Sequence, residues 1–194
     1  MHLLLAALVT IRIYNYAAVP PAQLADARAS ADRIFHDAGI ALSWVDCRVP
    51  GAAGGAACTE PLDDSGEFVL RLIQSPGARE PRHAALGSSL IDRNTGGGVL
   101  MTVDRRLVDA VSGEAGVDRS LVLGRAIAHE IGHLLIGTSR HAPAGLMRAL
   151  WSQAELRGNR PSDWSFSPDE AAVMKRTLAK TLSARVPAPE LSVP

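Results

Sequence analysis

The first third of the chain has a pattern of apolar and polar positions that predicts a strand, a helix and a second strand. Residues 9–16, VTIRIYNY, alternate apolar and polar side chains, as expected of a strand with one buried face. Beyond Pro20 and Pro21, apolar residues recur at helical spacing over residues 22–38, and Gly39 can end that helix. Residues 40–45 are apolar and predict the second strand. A strand, a helix and a strand in this order predict a right-handed crossover between two parallel strands.

The middle of the chain predicts two further strands separated by a loop. Residues 67–73, EFVLRLI, and residues 99–103, VLMTV, are apolar runs of strand length. Residues 75–87, SPGAREPRHAALG, are rich in proline and glycine and predict the loop. Residues 104–111 then predict a short helix.

One long helix dominates the second half. Residues 118–136 keep an apolar stripe at helical spacing, and Gly137 offers a stop. Residues 138–166 show little periodicity, and a connection of that length is usually functional or disordered. A last helix opens at Ser167, with a proline at its first position and Glu170 three residues after the cap. These elements predict an α/β (α+β) fold in a single domain over residues 1–185, followed by a loose tail over residues 186–194.

Composition and charge exclude some classes of partner. The chain has 20 basic and 20 acidic residues, so its net charge of zero provides no field that would attract nucleic acid or an anionic membrane. Aromatic residues make up 4% of the chain and offer no stacking platform for nucleic acid. The apolar start is far shorter than the roughly 20 residues that span a bilayer, so no membrane span is expected. Residues 1–8 fit a shortened signal sequence and an apolar approach to the first strand equally well.

The two cysteines, Cys47 and Cys58, stand at the two ends of a Gly- and Ala-rich segment, CRVPGAAGGAAC. A flexible loop of this length can bring its ends within disulfide distance at modest entropic cost, so a disulfide is predicted. The alternative is a pair of unrelated buried thiols. A disulfide and an apolar N-terminus both indicate an oxidising compartment, so we expect a secreted or periplasmic protein.

The strongest chemical signal is HEIGH at residues 129–133. His129 and His133 are four residues apart on the predicted helix, so their side chains lie one turn apart on the same side and can bind one metal ion. Glu130 flanks that side, where it can take a proton from a metal-bound water. The alternative is a helix on which His129 and His133 are merely solvated or core histidines. His36 and His83, elsewhere in the chain, are predicted to be surface histidines. Because burying two imidazoles without polar partners on an apolar helix would cost free energy, the motif favours a catalytic Zn²⁺ site.

A catalytic zinc ion usually has three protein ligands and one open position. His141 is the nearest candidate for the third ligand, because Gly137 can adopt the left-handed conformation that turns the chain back towards the helix. Glu155, 22 residues after His133, is the main alternative, and Asp163 is a weaker one.

Residues 129–147, HEIGHLLIGTSRHAPAGLM, resemble the metzincin clan of zinc peptidases, whose pattern is H-E-x-x-H-x-x-G-x-x-H followed by a methionine turn. FSPDE at residues 166–170 is similar to the start of the closing helix of the matrixin type, and GGVLMTV resembles the edge strand along which such enzymes hold a peptide. The resemblance, to small bacterial matrixin-like or archaemetzincin-like proteins, implies a zincin-like fold. That fold has a twisted mixed sheet of about four to five strands, an active-site helix, a Met-turn and a C-terminal helix. It also implies that Met147 packs below the ligands and does not bind the metal.

One departure concerns the turn after the helix. Gly137 is four residues past His133, where the family pattern has three, and His141 is eight past it, where the pattern has six. Either the longer turn bulges and His141 still binds, or another side chain completes the site.

The resemblance implies a zinc endopeptidase that acts on a peptide or protein substrate. His129, His133 and His141 would bind Zn²⁺, Glu130 would assist the attack of a zinc-bound water, and the substrate would pair with a strand over residues 99–103. One alternative is a zinc hydrolase of a non-peptide amide or ester. Another is a non-catalytic zinc-stabilised binding protein, which Glu130 disfavours because a structural zinc site needs no general base.

Overall fold

The structure of the protein is a computed structural model, and it describes residues 7–47, 58–62, 66–76 and 85–183. Three predictions concern positions outside these ranges: most of the possible signal sequence, the surface location of His83, and the tail over residues 186–194.

A five-stranded mixed sheet forms the first half of the fold. Its strands are β1 (Ala7–Asn15), β2 (Ile40–Cys47), β3 (Glu67–Ile73), β4 (Gly87–Leu90) and β5 (Leu100–Asp104), in the order β2-β1-β3-β5-β4. Three pairs are parallel, and β4 is antiparallel to β5. The alternation in β1 buries Val9, Ile11 and Ile13, as the sequence pattern predicts. The predicted fold class, a mixed sheet of four to five strands with helices, is confirmed.

Among the described residues the sheet is accompanied by five α-helices: α1 (Pro21–Asp37), α2 (Arg105–Ala115), α3 (Arg119–Ile136), α4 (Gln153–Gly158) and α5 (Pro168–Ser183). Helix α3 begins where Asp118 accepts a hydrogen bond from the backbone N–H of Leu121, and it ends at Gly137, which is left-handed. At the start of α5, Ser167 and Glu170 exchange the reciprocal bonds of a capping box, as predicted. The predicted helices are therefore present, and α4 lies in the segment that shows little periodicity.

The predicted edge strand is wrong. Residues 99–103 correspond to β5, which lies between β3 and β4 and pairs with both. The edge of the described sheet is instead β4, Gly87–Leu90, which begins at the last residue of the predicted loop. Its sequence, GSSL, has neither the length nor the β-branched residues by which strands are recognised, and β5 provides the pairing that makes it a strand.

Helix α3 is the centre of the core. Fifteen of its 18 residues are buried, and it packs on α1, α2, α5, β4 and β5. The close approach of α1 depends on Gly124, since a Cβ there would lie 2.4 Å from the backbone oxygen of Ala27 and 2.7 Å from the Cβ of Ser30. A helix buried on nearly all sides holds its polar side chains in fixed positions.

Cys47 at the end of β2 forms a disulfide with Cys58, and the two Cα atoms are 5.5 Å apart. The hydroxyl of Tyr14 donates to the backbone oxygen of Cys58 and fixes the far end of this bridge against β1. Across the described ranges, no helix combines the length and apolarity that crossing a bilayer requires.

Gly124→Ala is expected to lower the free energy of unfolding by about 1–3 kcal/mol, because the added methyl group would push α1 away from α3. Gly113→Ala in α2 is the matched control, since nothing lies within 4 Å of a Cβ at that position. Removing the conformational freedom of a helical glycine there should raise stability by about 0.5–1 kcal/mol. Chemical denaturation of both variants measures this, and an equal effect of the two substitutions would contradict the packing described for α3.

Candidate metal centre

Helix α3 presents three polar side chains in its buried second half. His129, Glu130 and His133 are all less than a tenth exposed. The two histidines are one helical turn apart, and their ring centroids are 4.6 Å apart with the ring planes nearly perpendicular. The four-residue spacing therefore places both rings on the same side of the helix, close to each other.

The turn after α3 begins at Gly137, which has φ +75° and donates from its N–H to the backbone oxygen of His133. A side chain at Gly137 would also meet Gly96, whose oxygen would be 2.9 Å from the added Cβ. The next residue, Thr138, directs its backbone oxygen to Nδ1 of His133 at 2.7 Å. The glycine thus makes the turn that gives one imidazole its hydrogen-bond partner.

The chain then returns below the histidines over residues 142–147. The N–H of Ala142 donates to the oxygen of Met147, and Gly145 adopts a positive φ of 74°. This turn brings the backbone oxygen of Leu146 to 2.9 Å from Nδ1 of His129. The indole N–H of Trp151 donates to the same oxygen at 3.3 Å. The second imidazole therefore also has its Nδ1 bound to a main-chain carbonyl.

The three histidines bring their other ring nitrogens together. Nε2 of His133 lies 3.0 Å from Nε2 of His129 and 3.3 Å from Nε2 of His141. In the described part of the chain, these three are the only residues whose ligand atoms cluster in a way that could hold a metal ion. His141 is exposed, whereas the other two are buried, so the cluster has one side open to solvent. The turn that is two residues longer than the family pattern still brings His141 to this point.

The donor set fits a zinc ion. A carbonyl oxygen can only accept a hydrogen bond, so His129 and His133 must carry their protons on Nδ1 and direct lone pairs from Nε2 at each other. Two lone pairs at 3.0 Å repel unless a cation lies between them. Nitrogen ligands of a tetrahedral zinc at about 2.0–2.1 Å lie about 3.3–3.4 Å apart, close to the spacings seen here.

The electrostatics also favour neutral imidazoles. Burial lowers the pKa of His129 to about 4, although the hydrogen bond to Leu146 opposes this shift. Burial likewise lowers the pKa of His133, against the hydrogen bond to Thr138. Neutral rings have the free lone pair that a metal ligand needs.

Glu130 lines the same cavity as the three histidines and is 5% exposed. Burial raises the pKa of its carboxyl to about 7, although a hydrogen bond from Ser89 opposes the shift. Ser89 Oγ is 2.7 Å from Oε2 of Glu130, and a Cβ on Gly87 would be 2.8 Å from Oε1. A carboxyl with a raised pKa in a cleft is suited to taking and returning a proton near neutral pH.

Met147 is buried below α3. A Cβ on Gly132 would lie 2.7 Å from Sδ of Met147 and equally near the ring of Phe166. Both side chains therefore pack against the backbone of Gly132, in the helical turn between the two histidines. The role of Met147 as the methionine of a Met-turn, like the ligand roles of the histidines, stays a prediction.

Glu155, the alternative third ligand, has other partners. Its carboxylate accepts hydrogen bonds from Ser152 in the capping box of α4 and also pairs with Arg148. The hydrogen bonds from Ser152, together with Arg148, hold the pKa of Glu155 below its ordinary value. Asp163, the weaker alternative, lies 3.9 Å from Arg148 as well. The structure brings neither carboxylate to the histidine cluster.

A cavity of about 550 Å³ lies beside the histidines and Glu130. It is bounded by β4, by α2, α3 and α4, and by the segment over residues 148–152. Several of its side chains are apolar, including Val111, Ala126, Leu156 and Trp151. The cleft could therefore hold an apolar group next to the candidate metal centre.

Sequence reasoning missed the groups that orient this centre. Ser89 and Gly87 lie in a stretch that has no strand periodicity, and the carbonyls of Thr138 and Leu146 belong to an irregular segment. Main-chain carbonyls carry no residue-specific signal, so a sequence pattern could not have found the last two.

Solved structures that resemble this chain include the following two. A zinc-dependent peptidase from Methanocorpusculum labreanum is 13% identical, over 84% of this chain and 99% of its own, with a TM-score of 0.55. An archaemetzincin from Methanopyrus kandleri is 15% identical, over 92% of this chain and 99% of its own, with a TM-score of 0.51. No protein-family model and no curated protein matches the sequence. At these identities the likeness concerns the fold alone, and this chain shares the fold of that zinc-dependent peptidase and that archaemetzincin.

Proposed function

We propose that the protein is a zinc-dependent peptidase whose metal ligands are His129, His133 and His141 and whose general base is Glu130. The observation that carries the proposal is the convergence of three Nε2 atoms beside a buried carboxyl that is not one of the converging donors. The two solved structures that share the fold are described as a zinc-dependent peptidase and an archaemetzincin, which supports the same reaction.

The three imidazoles would hold the ion on one side and leave the side towards the cavity open. The carbonyls of Leu146 and Thr138 fix the tautomers of His129 and His133, and such partners typically contribute a factor of 10–100 to metal affinity. When bound, zinc supplies a Lewis acid that polarises the scissile carbonyl and makes a water molecule more acidic.

Glu130 would take a proton from the attacking water and deliver it to the leaving amine nitrogen. Its position supports both steps, because burial destabilises the carboxylate enough for the carboxyl to hold a proton near neutral pH. Glu130 directly follows His129 on α3 and lines the same cavity as the three histidines.

An extended peptide would pair with β4, the edge strand of the described sheet, instead of with β5. β4 borders the cavity and contacts Glu130 through Ser89, so a peptide along it would pass the candidate metal centre. Leu90 at the end of β4 is 70% exposed and offers an apolar contact. Main-chain hydrogen bonds to an edge strand would give affinity, and the cavity would select a side chain.

Hydrolysis of a non-peptide amide or ester would use the same groups, and the edge strand beside the centre is the observation that favours a peptide. A purely structural zinc site is disfavoured, because His141 is exposed and the cluster leaves a position open towards the cavity.

His141→Ala is expected to weaken zinc affinity by more than about 100-fold, since the variant loses a direct ligand. His36→Ala is the matched control, because His36 is exposed on α1 and belongs to no ligand cluster of the described residues. Competition with a chromogenic chelator measures both affinities. Glu155→Gln should leave zinc affinity unchanged, and a loss confined to Glu155→Gln would contradict the proposed ligand set.

Zinc-loaded protein is expected to cleave members of a peptide library, as read by mass spectrometry. Glu130→Gln should retain zinc and lose about 10²–10⁴ in kcat/KM, the range in which a general base contributes. Cleavage that survives the substitution would remove Glu130 from the reaction. Hydrolysis of amide or ester reporters without any peptide cleavage would favour the non-peptide alternative.

A further inference from the structure

The carboxyl of Glu130 contacts β4, and its two oxygens have different neighbours on that strand. We propose that Ser89 is a positioning residue that anchors one oxygen of Glu130 and leaves the other oxygen to carry the proton. The inference rests on the proposed function and deepens it, because it assigns a role to a residue outside the zinc-peptidase motif.

Ser89 Oγ has two acceptors, and both belong to Glu130. It lies 2.7 Å from the side-chain oxygen Oε2 and 2.8 Å from the backbone oxygen of the same residue. A hydroxyl has one hydrogen to donate, so either orientation of that hydrogen ties Ser89 to Glu130. Glu130 is buried and Ser89 is half-buried, so the bond competes less with water than one at the surface.

Gly87 gives the other oxygen a different environment. A Cβ at Gly87 would lie 2.8 Å from Oε1 and 2.9 Å from Cγ of Glu130, which is closer than side chains can approach. Because glycine has no Cβ, Oε1 can lie against the strand at this position, and both residues line the cavity. Ser89 and Gly87 are two apart on β4, so their Cβ positions are on the same face of the strand. One face of β4 thus offers a hydroxyl to Oε2 and no side-chain donor from Gly87 to Oε1.

The different surroundings of the two oxygens indicate that Oε1, and not Oε2, carries the proton during the reaction. During attack, water gives a proton to Oε1 while its oxygen bonds to the scissile carbon. As the carbon–nitrogen bond breaks, the same proton passes from Oε1 to the leaving nitrogen, and Glu130 returns to the carboxylate. Ser89 keeps its own hydrogen throughout and only holds the carboxyl plane. Because Ser89 lies on the strand that would bind the peptide, β4 would position both the Glu130 carboxyl and the substrate.

The test compares Ser89→Thr with Ser89→Val, two side chains of nearly equal shape of which only threonine keeps the hydroxyl. Ser43→Ala is the control, since Ser43 is a half-buried serine on β2 at the opposite edge of the sheet. The first readout is the affinity of zinc-loaded protein for acetohydroxamate, which chelates zinc and donates a proton to a neighbouring carboxylate. The second is the division of any change in peptide cleavage between kcat and KM.

Ser89→Val should weaken acetohydroxamate binding by about five- to tenfold, the size of one hydrogen bond, and Ser89→Thr should restore it. In a Glu130→Ala background the same valine substitution should have no effect, because Ser89 acts through Glu130. Zinc content should stay constant, and kcat should fall with KM unchanged.

Equal binding by the threonine and valine variants would overturn the proposal, as would a loss that persists without Glu130. If the binding pattern holds and no peptide is cleaved, the positioning role stands and the peptidase function fails. Wild-type protein that binds no zinc would overturn both.

Discussion

The histidine cluster depends on the hydrogen bonds that the buried imidazoles of His129 and His133 make through Nδ1. A histidine in the interior needs a partner for Nδ1, and here each partner is a main-chain carbonyl from the irregular segment after α3. Thr138 and Leu146 provide these carbonyls because the chain turns at Gly137 and again at Gly145, both with positive φ. Without that path the helix would still place two rings together, but nothing would direct their Nε2 atoms to one point.

A second constraint is the close approach of neighbours to α3. Small residues allow it at three places: Gly124 against α1, Gly132 against Met147 and Phe166, and Gly87 of β4 against Glu130. The last contact joins β4, at one edge of the described sheet, to the carboxyl of Glu130. In the proposed reaction, a peptide bound along β4 would be positioned relative to Glu130 by the same few residues.

The parts of the site that follow from local spacing could be predicted from the sequence. HEIGH specifies two histidines and a glutamate on one helix, and Gly137 indicates where that helix ends. The alternation and the apolar runs also predict four of the strands, whereas the mixed sheet is implied only by the resemblance to metzincins. His141 could be proposed but not chosen over Glu155, because the choice depends on the path of a turn with no periodic pattern.

What the sequence could not predict is the long-range pairing. The strand GSSL is short and polar, and it becomes a strand only through β5, so the edge of the sheet was assigned to residues 99–103. Ser89 was missed for the same reason, since its contact with Glu130 spans 41 positions in the chain.

The most direct measurement is a crystal structure of the zinc-loaded protein, with anomalous scattering recorded at the zinc edge. We predict one strong peak within about 2.0–2.1 Å of Nε2 of His129, His133 and His141. We also expect the Glu130 carboxyl to lie beside the ion without entering its coordination. A peak bound by Glu155 or Asp163, or a histidine cluster with no metal, would contradict it.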